Sequence, residues 1–346
     1  MDEPNILSFT ILEGVRKKPH MYFGCSGSQA IVEMVRHISK WLVRENGIDL
    51  PGTLSVQIEE IPDSSTSTIT VTLDGPRAIS LPTTLKLPPP DDYPRYVAAG
   101  SSFMTADISH SGKRHRFETE RDGEIHSKES SPSTETRAKI VFQPYLPTFG
   151  NLNEADLYKC AGILESIAIL NPGLAVTFGA GPSIRFAWSY SQGLKSYIQK
   201  GDHSRWSLHP GTLGFSAKKE GVSVEGHLRF VHAGSSWMQS WINGYPSFGG
   251  SHYQGLGDVL AQMFPDPDQG CRRVAFITNS DTGDWIWLPH CFIGAMKLTL
   301  ARPRYAGPTK DILLDPEVRE FVKTAAGASL PGQWPEVQRR RPKPLF

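Results

Sequence analysis

The chain has 346 residues, enough for two domains of ordinary size. Hydrophobic residues make up 39% and the formal net charge is +1, so a sizeable core is available and no basic excess argues for nucleic-acid binding. The four cysteines, Cys25, Cys160, Cys271 and Cys291, form no CxxC pair and no zinc-spaced cluster, so no metal site is expected.

The first residues, MDEPNILSFTILEG, lack the basic and apolar regions of a signal peptide, and no apolar run reaches the ~20 residues of a membrane span. A cytoplasmic protein with reduced thiols and no membrane partner is expected. Pro19 should end a helix begun near Leu12, with Arg16, Lys17 and Lys18 near its C-terminus, where cations suit the helix dipole. Ile31, Val32, Val35, Ile38 and Leu42 recur at helical spacing and predict an amphipathic helix over 28–43. Two β-rich runs follow, TLSVQIEEI and STITVTLDG.

From Pro76 to about Thr105 the Pro, Gly and Ser content reads as loop. Asp122-Gly123 between polar, alternating flanks predicts a hairpin, and SKESSPSTETR a surface turn. AKIVFQPY reads as a strand and Asn153–Leu170 as a helix capped by Asn153. After Trp188 come a short helix (GLKSYIQK) and two strands (VSVEGHLRFVH and SSWMQSWINGY) joined by a turn at Ala233-Gly234. HYQGLGDVLAQMF reads as a helix, RRVAFITNS and FIGAMKLTLARP as strands, and DPEVREFVKTAA as a final helix. PEVQRRRPKPLF reads as a loose tail whose Arg339–Lys343 run is a solvated charge cluster. Strands and helices mix without strict βαβ alternation, so the fold class is α+β.

Three stretches taken in order resemble one family. LEGVRKKPHMYFG is similar to the V-R-K-R-P-G-M-Y-I-G opening of DNA gyrase and topoisomerase IV B subunits. KIVFQPYLPTFGNLNEADLYKCAGILESIAILNPGLAVTF resembles the strand, helix and strand that close their ATPase domain. WINGYPSFGGSHYQGLGDVL, followed by LTLARPRYAGPTKDIL, resembles the N-N…G-G-T-H and Q-T-K segments of their transducer domain. The resemblance implies a GHKL-type (Bergerat) mixed sheet with helices on one face, residues 1–188, then a smaller α/β transducer-like domain, residues 189–330, and a basic tail, 331–346. It also implies that the chain stops where a DNA-cleavage domain would begin.

Residue by residue, the resemblance puts Glu33 at the general-base position of IVEMVRHISK. His37 takes the place of the magnesium-binding Asn and Arg36 that of an Asp. Magnesium prefers hard oxygen ligands, which imidazole does not supply. In TLDGPRAISLP, Leu73 falls where an Asp reads adenine, with Asp74 one place on; a leucine cannot accept that hydrogen bond. The glycine box that cradles a triphosphate at a helix start has no counterpart; Ala99-Gly100-Ser101-Ser102 comes nearest. Lys310 matches a lysine that reaches the γ-phosphate, with Pro308 replacing its Gln, and His252 occupies the transducer's His.

The expectation is therefore a gyrase-B-like pseudoenzyme without a cofactor, acting as a binding or regulatory module. Its partner would be a protein, either itself or a gyrase-like subunit, with DNA engaged only indirectly. Two alternatives stand beside it. One is an active Mg-ATP-dependent ATPase subunit using Glu33, Asp74 and Lys310. The other is a decoy that binds a small molecule or toxin in an emptied pocket.

Overall fold

The structure, a computed structural model, describes residues 10–44, 51–60, 66–75, 93–110, 112–119, 125–200, 211–231, 236–264, 274–279, 284–288, 291–307 and 310–339. The chain divides into two compact units, residues 1–191 and 192–346.

The first unit opens with three helices, α1 (Ile11–Lys17), α2 (His20–Phe23) and α3 (Ser28–Arg44). Thr10 and Glu13 form a reciprocal capping box that starts α1. Pro19 lies just past the end of α1, as the sequence requires, and is also the N-cap of the short α2. Strands β1 (Gly52–Glu60) and β2 (Ser67–Asp74) precede α4 (Tyr93–Ala99). Four strands follow: β3 (Ser101–His110), β4 (Lys113–Thr119), β5 (Ile125–Pro132) and β6 (Arg137–Pro144). The unit closes with α5 (Leu146–Phe149), α6 (Glu154–Leu170), β7 (Leu174–Ala180) and β8 (Ile184–Ser189).

Among the described residues, eight strands form one sheet in the order β5-β4-β3-β6-β2-β1-β7-β8. All neighbours are antiparallel except β1 and β7, which makes the sheet mixed. Period-two alternation sends one set of side chains to the core. Leu54, Leu73, Ala138 and Ile108 are aligned across four strands, and Val56, Val71, Ile140 and Ala106 form the next row; all are buried. Intervening positions are polar, and Thr177 on β7 donates to Ser55 on β1 at 2.9 Å. All five apolar positions that predict α3 are buried. Asn153 caps α6 through a second capping box with Asp156.

The loop reading of 76–105 needs correction where it can be compared. Residues 76–92 lie outside the described residues, but 93–99 are α4 and the strand β3 starts at Ser101. Pro94 occupies the first helical turn, where its missing N–H costs no hydrogen bond. The segment read as a surface turn is largely β5, paired with β4 from Thr119↔Ile125 to Lys113↔Pro132. Pairing supplies an order that the serine-rich composition does not advertise, and Pro132 is tolerated at the end of an edge strand. The predicted Asp122-Gly123 turn lies outside the described residues, between these paired strands.

The second unit begins with α7 (Leu194–Lys200), β9 (Leu213–Lys219), β10 (Val222–Val231), β11 (Trp237–Ile242), β12 (Tyr245–Ser247) and β13 (Gly249–Gly250). It continues through α8 (Ser251–Met263), β14 (Val274–Asn279), β15 (Asp284–Leu288), β16 (Cys291–Leu300), β17 (Ile312–Leu313) and α9 (Pro316–Arg339). Five strands form a sheet in the order β12-β11-β16-β10-β9, with β11 and β16 parallel. The expected turn between β10 and β11 falls outside the described residues, and the two strands are not neighbours: β16 inserts between them.

Helix α9 is longer than predicted and runs through Pro331 and Pro335 to Arg339, so 335–339 is not a loose tail. Tertiary contacts override the local signal. Gln333 pairs with the backbone of Gly214, accepting from its N–H at 2.9 Å and donating to its carbonyl at 2.8 Å. Trp334 meets Phe230 and Phe264 edge-on at 4.9 and 5.1 Å. Replacing Trp334 by Ala should cost about 3 kcal/mol in denaturant unfolding, within the range for aromatic truncation. An unchanged unfolding midpoint would mean that the last turns of α9 contribute nothing to the core.

Candidate functional site

Glu33, Arg36 and His37 come from successive turns of α3, as the spacing requires. The Arg36 guanidinium lies 3.0 Å from Glu33 Oε2, with both side chains mostly buried. Burial raises the Glu33 carboxyl above its ordinary value, and the Arg36 charge opposes that rise. Raised basicity suits a general base, but the carboxylate already holds a cation on its own helix. Arg36 therefore puts a fixed charge beside the only carboxylate that this stretch of α3 offers to a metal.

His37 is 5% exposed. Its ring lies 4.2 Å from that of Tyr93, at the start of α4, and 5.9 Å from Phe23 of α2. At the position the family resemblance gives to a magnesium ligand, the imidazole packs in an aromatic setting. Among the described residues no group of three or more His, Cys, Asp and Glu side chains could hold a metal ion.

On β2, Leu73 is fully buried in the row it shares with Leu54 and Ala138. Asp74 lies beyond the core and pairs with Arg137, directly across on β6, at 3.0 Å, both side chains about half exposed. Gly75 follows with φ +101, a left-handed conformation that suits glycine, and donates to Thr136 O at 3.1 Å. Residues of the GPRAISLP stretch from Pro76 onward lie outside the described residues.

The nearest candidate for a phosphate loop has the wrong polarity. Ala99 ends α4, Gly100 follows, and Ser101 begins β3 with no helix start between them. The Gly100 amide donates to Tyr96 O at 2.9 Å, so it is spent inside the helix end. What the junction presents is carbonyls. Arg16 Nε donates to Ala99 O at 3.1 Å and Arg16 Nη2 to Ser101 O at 2.9 Å, while the Tyr145 amide donates to Gly100 O at 2.9 Å. A helix C-terminus carries partial negative charge and suits a cation, not a phosphate. The sequence shows Arg16 only as a basic residue in VRKKP; its target lies 83 residues away.

Two thiols flank α3. Burial, with the Glu33 carboxylate adding to it, pushes Cys25 up to about 11 and Cys160 to about 12. Both are thiols at neutral pH and poor nucleophiles.

The second unit holds the other predicted residues. Lys310 is exposed, ends a turn in which its amide donates to Gly307 O at 3.2 Å, and has φ +60, rare outside glycine. Pro308 lies outside the described residues. His252 is fully buried in the first turn of α8. The Ser240 hydroxyl donates to Ser247 O at 2.6 Å, so it accepts from His252 Nε2–H at 2.8 Å. Burial holds the imidazole down at about 3, hence neutral. His252 is an internal strut between β11 and α8.

The comparisons with known proteins agree on one relationship. No protein-family profile matches the chain. The gyrase B protein of Synechocystis is 25% identical to it, over 92% of this chain and 32% of that protein. In general the chain spans from about a third to a little over half the length of the curated gyrase B proteins it matches. Among solved structures, the gyrase B protein of Myxococcus xanthus superposes with a TM-score of 0.69 at 21% identity, covering 96% of this chain and 99% of that one. The 43K ATPase domain of Thermus thermophilus gyrase B, crystallised with an aminocoumarin, gives 0.68 at 19% identity, covering 95% and 90%. The chain is thus similar in sequence to gyrase B over nine-tenths of its length and has the fold of its ATPase region.

Proposed function

We propose that this chain is a gyrase-B-like module that does not turn over ATP and works as a binding or regulatory element. Its body is the GHKL-like part, residues 1–188, followed by a transducer-like part, residues 189–330. Its partner is a protein, a second copy or a gyrase-like subunit, and DNA is reached through that partner.

The α4–β3 junction carries this reading. In the family that the chain resembles, a triphosphate is held on backbone N–H groups at a helix start. At Ala99–Ser101, the segment nearest to such a loop in sequence, a helix end runs straight into a strand and its carbonyls are capped by Arg16. The remaining described residues fit Mg-ATP no better. His37 packs on Tyr93, Arg36 occupies Glu33, and Leu73 belongs to the core.

One observation favours an active ATPase instead: the desolvated Glu33 carboxyl, whose raised proton affinity a general base would need. Two measurements decide between the readings. Calorimetric titration with Mg-ATP is expected to show no magnesium-dependent binding. Turnover of the Glu33→Ala variant is expected to equal that of the parent. Tight magnesium-dependent binding, with turnover abolished by Glu33→Ala, would overturn the proposal.

A further inference from the structure

Helix α4 has only seven residues, too few to persist without tertiary contacts. Side chains of the same unit hold it along its length. At its start Tyr93 lies on His37 at 4.2 Å, and in the middle Tyr96 meets Tyr22 edge-on at 5.3 Å. At its end Arg16 binds the carbonyls of Ala99 and Ser101, and Ser101 Oγ donates to Val97 O at 2.6 Å. The Arg16 guanidinium also lies 4.0 Å above the Tyr145 ring, and its own carbonyl accepts from Thr148 Oγ1 at 3.3 Å. Space behind the junction is full: a Cβ on Gly100 would press against Met34 of α3 at 2.5 Å.

We infer that α4 is a strap closed over the His37 face of α3 and latched by Arg16, so that releasing the latch opens this face while the sheet beneath stays folded. Two charge-assisted bonds and a ring contact meet on one side chain at the C-terminal end of α4. The strap regulates access to the same site and rests on the proposed function only for the importance of that face.

The test uses the full chain without nucleotide, so its outcome is separate from that of the ATP titration. Native-state hydrogen exchange is read for the amides of 97–100, the last turn of α4, and diethyl pyrocarbonate modification of His37 is read by site-resolved mass spectrometry. In Arg16→Met, exchange over 97–100 should rise roughly 10–100-fold, the loss expected for one or two bonds to a charged group. His37 modification should rise with it, while exchange in β1 and β6 stays unchanged. Arg16→Lys should fall between Arg16→Met and the parent. Unchanged exchange and modification would overturn the latch, as would a rise shared equally by β1 and β6. If Arg16→Met does not fold, denaturant-dependent exchange of the parent decides. The 97–100 amides must then open together with His37 modification, well before the sheet; opening only with the sheet would refute the strap. Mg-ATP binding with the latch behaviour intact would overturn the proposed function alone.

Discussion

Replacing Gly250 by alanine should unfold the second unit or destabilise it by about 3 kcal/mol or more. Gly250 has φ +103, in a region side chains rarely enter, and it precedes the first residue of α8. It pairs in parallel with Leu313, so close that a Cβ would collide with the Leu313 backbone itself. Neither strand can withdraw. Ser251 Oγ donates to Leu313 O at 3.1 Å and accepts from the Asp315 amide at 2.7 Å, and Ser247 Oγ donates to Asp311 O at 2.9 Å. The clamp holds the segment that follows Lys310. Circular dichroism with denaturant unfolding would read the effect, and a Gly250→Ala chain of parental stability would show that the 249–250 and 312–313 backbones can separate freely.

Acidification should cost the second unit about 3 kcal/mol between pH 6.5 and 4 through His252 alone. The sign follows from where the proton goes. In the unfolded chain the imidazole takes a proton near its ordinary value of 6.5; folded, burial lowers it to about 3. Below pH 6.5 the unfolded state therefore binds a proton that the folded state refuses, and stability falls until the folded value is reached. Nδ1 is buried with no hydrogen-bond partner among the described residues, so a proton there would be both charged and unsatisfied. Above pH 6.5 the term is constant. Glu225, held down to about 2 chiefly by its hydrogen bond from His227, adds its own loss below about pH 4.5. Comparing His252→Gln with the parent isolates the histidine, because the variant should lose the slope between pH 6.5 and 4.5. Parallel stability–pH curves for the two chains would refute the assignment.

Period and capping carry most of the fold. The apolar positions of α3 and the Asn153 cap of α6 follow from sequence alone, and the alternation in β1, β2 and β6 states which side chains reach the core. Sequence reasoning fails where partners distant in the chain decide. Composition hides α4 behind Pro and Gly, β5 behind serines, and the last turns of α9 behind Pro331. The candidate site divides the same way. Spacing is enough to put Glu33, Arg36 and His37 on one helix. The Glu33–Arg36 pair is likewise a local i,i+3 contact, whereas that His37 packs on Tyr93 and that Arg16 caps α4 depends on encounters no local pattern encodes.

The one parallel seam of the large sheet has a consequence for synthesis. Gly52 is aligned with Leu174 and Ile58 with Ala180, and the Ser55–Thr177 bond spans 122 residues. Loop-closure entropy makes such a pairing slow to form. Until the ribosome has released residue 180, β1 keeps an open apolar-rich edge to which any other extended chain could add. Nascent chains arrested before β7 should therefore be the aggregation-prone species, and those arrested after β8 should be protected.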